Sequence, residues 1–293
     1  MKNNIFKNIW IQPAAGDAGG ALGAALAAYF IYFKNDREVI TGQDSMSGSY
    51  LGPDYSDKDI ERSALSLDAP YKYYSNFDDL LEKVTDLLIK GKVVGWFQGR
   101  MEWGPRALGN RSIIGDARNP EMQKKLNLKI KFREGFRPFA PSVLEEDSAS
   151  YFKIKGTSPY MLLVADVVDK RREKLPENYS DLPLMKRLYF NRSDIPAITH
   201  LDFSARLQTV SKKTNPKYWE LINTFKKKTG YGVVVNTSFN VRGEPIVCTP
   251  ENAYSCFMKT EMDYLVMGNY LFDKSKQQSL YNKYTLEDTI KKD

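Results

Sequence analysis

An alternation of amphipathic helices and short apolar strands after residue 76 is the feature that most constrains the fold of this chain. Residues 78–90 place apolar side chains at helical spacing, with acids early and lysine late, and Gly91 follows as a C-cap. Residues 93–97 form an apolar run typical of a buried strand. The pattern predicts a mixed α/β domain. It continues with a strand over 160–167, a helix over 218–227, a strand over 232–235, a helix over 250–259 and a strand over 264–267.

The first 75 residues contain one lone α/β unit and a polar connection. Residues 8–12 predict a short strand, 13–17 a turn, and the alanine- and glycine-rich stretch up to about Phe33 a helix. The uncharged run could be read as a membrane helix, but it is shorter than the roughly 20 residues that a span needs. Its small residues favour a buried helix. Residues 34–75 are polar and broken by glycine and proline, with a helix start at Ser56.

Charge and rare residues narrow the functional classes. Lys and Arg exceed Asp and Glu by 43 to 36, which favours anionic partners such as phosphates. The excess is spread along the chain and no zinc-knuckle or helix-turn-helix signature is present, which argues against nucleic acid. Cys248 and Cys256 form neither a CxxC motif nor a disulfide framework, so we expect free thiols in a reducing cytoplasm. With His200 as the one histidine, the chain cannot form an all-histidine metal site.

A segment rich in glycine and arginine follows the predicted strand at 93–97. Residues 98–112 contain three arginines and three glycines. Glycines allow backbone N–H groups to approach a ligand, and arginines match phosphate or carboxylate oxygens. The segment therefore predicts either an anion site or a surface loop with incidental charge.

Three further clusters carry polar groups beside apolar runs. In residues 129–141, cations alternate with apolar side chains; on a strand this would give a cationic face, or an edge strand guarded by charges. Residues 196–206 include His200, and a lone histidine is more often structural than catalytic. In residues 233–245, an apolar strand runs into small hydrogen-bonding side chains, which suit either ribose, phosphate or base recognition or a turn cap.

In this order the four clusters resemble the NodU/CmcH carbamoyltransferases. The resemblance covers nearly the whole chain, with the tail after Asp273 as the exception, and motifs of this length and number are specific. Residues 12–25 look like the end of the family's first domain. The other matching segments are 99–112, 136–141, 236–240 and 244–246.

The resemblance implies a two-domain O-carbamoyltransferase. A YrdC-like domain with a mixed twisted sheet would make carbamoyl-adenylate from carbamoyl phosphate and ATP with Mg. An actin-like ATPase domain would pass the carbamoyl group to a hydroxyl of a small-molecule or sugar acceptor. On this basis residues 1–75 are predicted to be a remnant of the ATPase-like domain with a connection, 76–273 the YrdC-like domain and 274–293 a polar tail.

The resemblance also implies roles for individual residues. Those expected to hold the carbamoyl phosphate and the nucleotide phosphates, and thus to be catalytic, are Arg106, Lys131, Arg137 and Arg206. Those expected to bind substrate or nucleotide, or to line the pocket, are Arg100, Glu102, Gly104, Arg111, Ser112, Arg133, His200, Asn236, Thr237, Ser238 and Asn240. Asp17 matches an aspartate that completes a metal site, for Fe or another divalent ion, with histidines of the first domain.

Two departures from the family pattern qualify these expectations. Many members have Gly-Thr where this chain has Phe203-Ser204, which affects the loop of Arg206. Most of the first domain, with its metal-binding histidines, has no counterpart in this sequence. We therefore expect a truncated or split enzyme, or a separate chain that supplies the rest.

Two other functional classes stay open at this point. One is a non-catalytic subunit that binds nucleotide or RNA, which steeply salt-dependent RNA binding without ATP turnover would reveal. The other is an inert fragment that exposes apolar surface and aggregates. No membrane partner is expected.

Overall fold

A computed structural model describes residue 5, residues 9–38 and residues 44–277. Most of the predicted polar tail and the first residue of the predicted N-terminal strand lie outside this part of the chain. The α-helices are α1 (Asp17–Ala27), α2 (Asp57–Ser66), α3 (Phe77–Ile89), α4 (Met122–Lys129), α5 (Ser148–Tyr151), α6 (Leu184–Leu188), α7 (Pro216–Thr229) and α8 (Pro250–Lys259). The strands are β1 (Lys72–Tyr73), β2 (Val94–Phe97), β3 (Arg111–Gly115), β4 (Ala140–Leu144), β5 (Leu163–Asp166), β6 (Ser204–Val210), β7 (Val233–Ser238), β8 (Tyr264–Met267) and β9 (Tyr270–Asp273).

The nine strands form one mixed sheet in the order β1-β9-β8-β2-β3-β7-β4-β6-β5. β2 runs parallel to β8 and β4 runs parallel to β6, whereas the other neighbours are antiparallel. One face packs against α2, α4 and α8, and the other packs against α3 and α7. The mixed α/β prediction is therefore confirmed.

Helix α3 begins and ends at the signals that its sequence contains. The Asn76 side chain accepts from the N–H of Asp78 at the amino end, and two acids occupy the first turn. Gly91 follows the helix with φ of +70°, a conformation that glycine adopts without strain. The side chains that the helical pattern places on one face are all buried, namely Leu80, Leu81, Val84, Leu87 and Leu88.

The N-terminal segment differs from its prediction. Residues 9–12 do not form a strand, and α1 begins at Asp17 as expected but buries none of its residues. The prediction of a buried helix is wrong, because α2, α4 and α8 already cover one face of the sheet and α3 and α7 the other. Exposed apolar side chains in and after α1 include Leu26, Tyr29, Ile31, Tyr32 and Phe33. In the described part of the chain, no helix has the length and apolar character needed to cross a membrane.

The segment of residues 129–141 also differs from the proposed strand. Lys129 ends α4, residues 130–139 form a loop, and β4 starts only at Ala140. Ile130 is buried, whereas Phe136 is 61% exposed, so no regular alternation of faces exists. The cations of this segment therefore lie on a loop, whose backbone can bring them to one point.

Residues 57–73 pack on the sheet of the predicted second domain. Ile60 and Ala64 of α2 belong to the core that contains α8. β1 pairs with β9 at the edge of the sheet. The predicted division into domains at residue 75 stays a prediction.

Candidate anion-binding site

The sheet topology brings the four predicted clusters to one edge of the sheet. The loop of residues 98–110 leaves the carboxyl end of β2 and enters the amino end of β3. β3 and β4 run antiparallel to β7, so the loop before β4 and the residues after β7 lie at the same edge. β6 runs parallel to β4, so the segment that leads into β6 also reaches it. Groups separated in sequence therefore converge where loops of α/β proteins commonly bind ligands.

Lys131 lies buried at this edge and holds the chain that leaves β7. Its Nζ donates to Ser238 Oγ at 3.2 Å, to the Asn240 carbonyl at 2.9 Å and to Asn240 Oδ1 at 2.8 Å. Burial lowers the pKa of Lys131 to about 7, and the charge of Arg133 acts in the same direction. The structure thus brings the predicted phosphate-binding lysine together with two predicted nucleotide-binding residues.

Two predicted arginines follow Lys131 in the loop before β4. Arg133 is half-buried, donates from Nε to Asn127 Oδ1 at 2.7 Å, and lies over the Phe139 ring at 4.9 Å. Burial lowers the pKa of Arg133, and Arg137 adds to this shift. Arg137 is exposed and donates to Glu134 Oε2 at 3.0 Å. The loop therefore adds one stacked and one acid-paired arginine to the Lys131 side of the site.

Arg106 and Arg206 form a second cationic cluster, and the His200 imidazole lies between Arg206 and Phe139. Burial, and then the charge of Arg106, lower the pKa of Arg206; burial also lowers the pKa of His200, and Arg206 adds to that effect. The backbone of Phe139 acts on the pKa of His200 in the opposite direction to burial, and the Arg133 guanidinium lies over the Phe139 ring, so this cluster adjoins the Arg133 side of the site. Among the described residues, Arg106 and Arg206 have neither an acidic nor a hydrogen-bonding partner. Two adjacent guanidinium groups without an acid favour an oxyanion.

The turn before Arg206 contains a residue with a left-handed backbone conformation. The His200 N–H donates to the Ser204 carbonyl at 2.9 Å, and Ser204 Oγ donates to Asp202 Oδ1 at 2.6 Å. Phe203 between them has φ of +61°, a conformation that favours glycine. This is the position where the family resemblance places glycine, and the Arg172 guanidinium lies over the Phe203 ring at 5.0 Å.

Arg111 is fully buried, and its two terminal guanidinium nitrogens donate to backbone carbonyls. One guanidinium nitrogen donates to the carbonyls of Gln98 at 2.9 Å, Gly99 at 3.0 Å and Asn110 at 3.0 Å. The guanidinium lies over the Phe97 ring at 3.6 Å, and burial lowers the pKa of Arg111 to about 10. Arg111 therefore joins the two ends of the loop of residues 98–110, in contrast to Arg106 at its exposed tip.

Asn236, Ser112 and Thr237 lie on the strands beneath this loop. Asn236 is buried, and its Nδ2 donates to the Ala107 carbonyl at 3.1 Å. Ser112 Oγ accepts from the Gly109 N–H at 3.0 Å. Thr237 follows Asn236 in β7, so alternation along the strand turns its side chain to the other face. Asn236 and Ser112 contact the loop, whereas Thr237 does not share their face.

Three predicted site residues have their contacts or positions outside the two cationic clusters. Arg100 is exposed and donates to the Leu51 carbonyl at 2.9 Å. Gly104 has φ of +111°, and a Cβ there would lie 2.6 Å from Ala14 Cβ, so only glycine fits. Asp17 is exposed in the first turn of α1, and no group of three His, Cys, Asp or Glu residues able to hold a metal occurs among the described residues. The metal site therefore finds no support in these residues, and its histidine ligands from another domain stay a prediction.

A cleft of about 230 Å³ opens beside the second cationic cluster. His200 and Asp202 line it together with the apolar side chains of Phe136, Pro138 and Leu201. A ligand whose anionic part is held by the guanidinium groups can therefore extend into a partly apolar space.

Sequence reasoning missed the side chains that hold the loop of residues 98–110 in place. Gln208 Nε2 donates to the Leu108 carbonyl at 2.7 Å, and the Tyr50 hydroxyl donates to the same carbonyl at 2.8 Å. Ser142 Oγ donates to Gln208 Oε1 at 2.6 Å. A polar residue two positions after Arg206 on a strand shares its face, and this was the available signal for Gln208.

Comparison with known proteins gives the family context of this site. The carbamoyltransferase C-terminus family matches residues 85–274. The uncharacterized protein sll1178 of Synechocystis sp. is 56% identical over 94% of this chain and 45% of its own length. The nodulation protein NolO of Bradyrhizobium diazoefficiens is 39% identical over 94% of this chain and 46% of its own length. The chain thus spans less than half the length of these relatives.

A weaker likeness exists to a solved structure. A crystal structure of full-length HypF in the phosphate- and nucleotide-bound form aligns with a TM-score of 0.40 and 17% identity, over 64% of this chain and 21% of that protein. A likeness at this level carries no argument about this chain.

Proposed function

Because the chain belongs to the carbamoyltransferase C-terminus family, we propose that it binds carbamoyl phosphate and ATP at the edge described above and forms carbamoyl-adenylate. The observation that carries the proposal is that the loop of Arg106 is joined to the strand of Arg206 by the hydrogen bond from Gln208 Nε2 to the Leu108 carbonyl at 2.7 Å. Neither arginine has an acidic partner among the described residues, and burial and then the charge of Arg106 lower the pKa of Arg206. The two positive charges repel each other, and a bound oxyanion would remove this repulsion.

The two cationic clusters suit two phosphate-bearing substrates. Arg106, Arg206 and His200 would hold the phosphate of carbamoyl phosphate, and Lys131 and Arg133 would hold the phosphates of ATP, which we expect to arrive with Mg²⁺. Both clusters adjoin Phe139, through the His200 ring on one side and the Arg133 guanidinium on the other. This arrangement supports transfer between two bound anions, for which positioning and charge neutralisation matter most.

The reaction that we propose balances as two steps. Water releases phosphate from carbamoyl phosphate and leaves carbamate. A carbamate oxygen then attacks the α-phosphorus of ATP, the bond to the β-phosphate oxygen breaks, and pyrophosphate leaves. The cations would stabilise the charge that develops on the phosphate oxygens in both steps. Transfer of the carbamoyl group to a hydroxyl-bearing acceptor, with or without a separate chain, stays a prediction.

Release of pyrophosphate by the purified chain tests the proposal. We expect release that depends on carbamoyl phosphate and that Arg106→Ala lowers by at least about 100-fold, as for the loss of a charge-stabilising donor. Arg62→Ala is the control, because the Arg62 side chain is 79% exposed on α2 and, among the described residues, pairs with Asp59 alone. Folded wild-type chain that releases no pyrophosphate in response to carbamoyl phosphate would overturn the proposal.

A further inference from the structure

The backbone of residues 107–111 is held almost completely by buried side chains. This stretch directly follows Arg106, which is exposed. Loops usually keep some backbone groups for water, whereas here side chains from several elements bind both N–H and carbonyl groups. Side chains donate to two carbonyls: Asn236 to that of Ala107, and Gln208 and Tyr50 to that of Leu108. Side chains also accept from the backbone: Ser112 from the Gly109 N–H, and Glu102 from three N–H groups.

Glu102 is the centre of this arrangement. Its Oε1 accepts from the N–H groups of Leu108 at 2.7 Å, Asn110 at 2.8 Å and Arg111 at 3.2 Å. The side chain is buried with only 4% exposure, and its charge opposes the lowering of the Arg111 pKa by burial. An ionised carboxylate that accepts several backbone N–H groups forms bonds stronger than neutral ones. The backbone of residues 108–111 is therefore folded around the Glu102 carboxylate, and we call this arrangement the curl of the loop.

Gln208 connects the curled loop to the strand that carries Arg206. Gln208 and Arg206 are two residues apart in β6, so their side chains lie on the same face. The Gln208 side chain donates to the Leu108 carbonyl at 2.7 Å, two residues after Arg106. The loop that carries Arg106 is thus linked to the strand that carries Arg206 through the hydrogen bond between Gln208 and Leu108.

We propose that Glu102 is a positioning residue that holds Arg106 at the edge of the sheet that Arg206 reaches from β6. Two like charges at one edge repel each other, so an unsupported loop would move Arg106 away when no anion is bound. The curl around Glu102 and the anchor on Gln208 keep the pair assembled before the ligand arrives. The inference rests on the proposed function in one respect, namely that the anion held by the pair is carbamoyl phosphate.

Glu102→Gln tests this inference with little change in shape. The amide keeps one oxygen but loses the charge that three N–H groups share. Titration calorimetry with carbamoyl phosphate should show a Kd raised by about tenfold or more, as for a catalytic group displaced by about an ångström. The Kd of a non-hydrolysable ATP analogue should stay within about twofold, because Lys131 is held by other residues.

Asp263→Asn is the matched control. Asp263 Oδ2 also accepts a backbone N–H, from Val93 at 2.8 Å, but Val93 precedes β2 at the opposite edge of the sheet. This variant should lose stability without a selective loss of carbamoyl phosphate. If Glu102→Gln and Asp263→Asn affect both ligands alike, Glu102 is only structural and the inference fails.

Hydrogen exchange separates this inference from the proposed function. In Glu102→Gln the amides of Leu108, Asn110 and Arg111 should exchange faster, while those of β7 keep their protection. Gln208→Met removes one of the two side-chain donors to the Leu108 carbonyl, leaves the Tyr50 bond and Glu102 in place, and should reproduce part of the loss of carbamoyl phosphate affinity. Wild-type chain that fails to bind carbamoyl phosphate would contradict the proposed function, whereas unchanged exchange in Glu102→Gln would overturn the positioning role itself.

Discussion

Replacement of Arg111 by methionine should destabilise the fold by about 3 kcal/mol, because buried carbonyls lose their donor. Arg111 is the donor to the carbonyls of Gln98 at 2.9 Å and Gly99 at 3.0 Å, and an orphaned buried carbonyl costs about 1–3 kcal/mol. Loss of the contact with the Phe97 ring adds about 1 kcal/mol. Part of the loss is offset, because burial lowers the pKa of Arg111 to about 10, so the substitution also removes the desolvation cost of its charge.

Urea unfolding measures this effect, with Arg106→Met as the matched control. Arg106 is exposed and has no hydrogen-bonding partner among the described residues, so its substitution should change stability by less than about 0.5 kcal/mol. The two arginines lie five positions apart, Arg106 on the loop and Arg111 at the start of β3, and should therefore separate stability from binding. Equal stability of both variants, or a larger loss for Arg106→Met, would refute the division of roles that we draw from the structure.

Two further predictions concern Lys131 and Gly109. Burial lowers the pKa of Lys131 to about 7, so above pH 7 the free chain loses the positive charge of this side chain. The Kd of ATP measured by calorimetry should therefore rise by up to about tenfold per pH unit between roughly pH 7 and 9. A pH-independent Kd, or the same slope in Lys131→Met, would contradict the role of Lys131. Gly109→Ala should cost more than about 2 kcal/mol in urea unfolding, since φ is +107° and the added Cβ would lie 2.1 Å from a Tyr218 ring atom. Gly156→Ala, with φ of +81° and no atom within 4 Å, is the control that isolates backbone strain, and an equal loss in both variants would mean that the clash is relieved.

The sequence predicted those elements of the fold whose side chains follow a simple period. α8 and β8 have the predicted bounds, and α3 differs by one residue at each end. β3 and β6 were not predicted, because buried polar side chains such as Arg111, Ser112 and Gln208 interrupt their apolar pattern. These polar groups are stable in the core because each finds partners across the sheet or in a loop, which a single segment of sequence does not reveal.

The candidate site could be predicted as a set of residues but not as a division of labour. The glycine- and arginine-rich segment follows a strand as predicted, whereas the anion site that it indicated stays a prediction. It could not show that Arg111 faces backbone carbonyls while Arg106 faces solvent, because both have the same charge and similar neighbours in sequence. The family roles of these residues stay predictions, and the geometry now gives each one a separate test.

Cationic side chains that donate to other protein groups must be distinguished from those without such partners among the described residues, because this decides whether a variant reports on stability or on binding. One terminal nitrogen of Arg111 donates to three carbonyls at the two ends of the loop, so losing Arg111 changes the fold and any loss of binding is secondary. Arg106 and Arg206 keep their donors free among the described residues, so losing either should change binding alone. Lys131 lies between these cases, because its contacts with Ser238 and Asn240 must yield at least one position when a phosphate binds. For Lys131 stability and affinity are therefore coupled, and the pH dependence of the Kd, not the size of a mutational loss, is the measurement that isolates its charge.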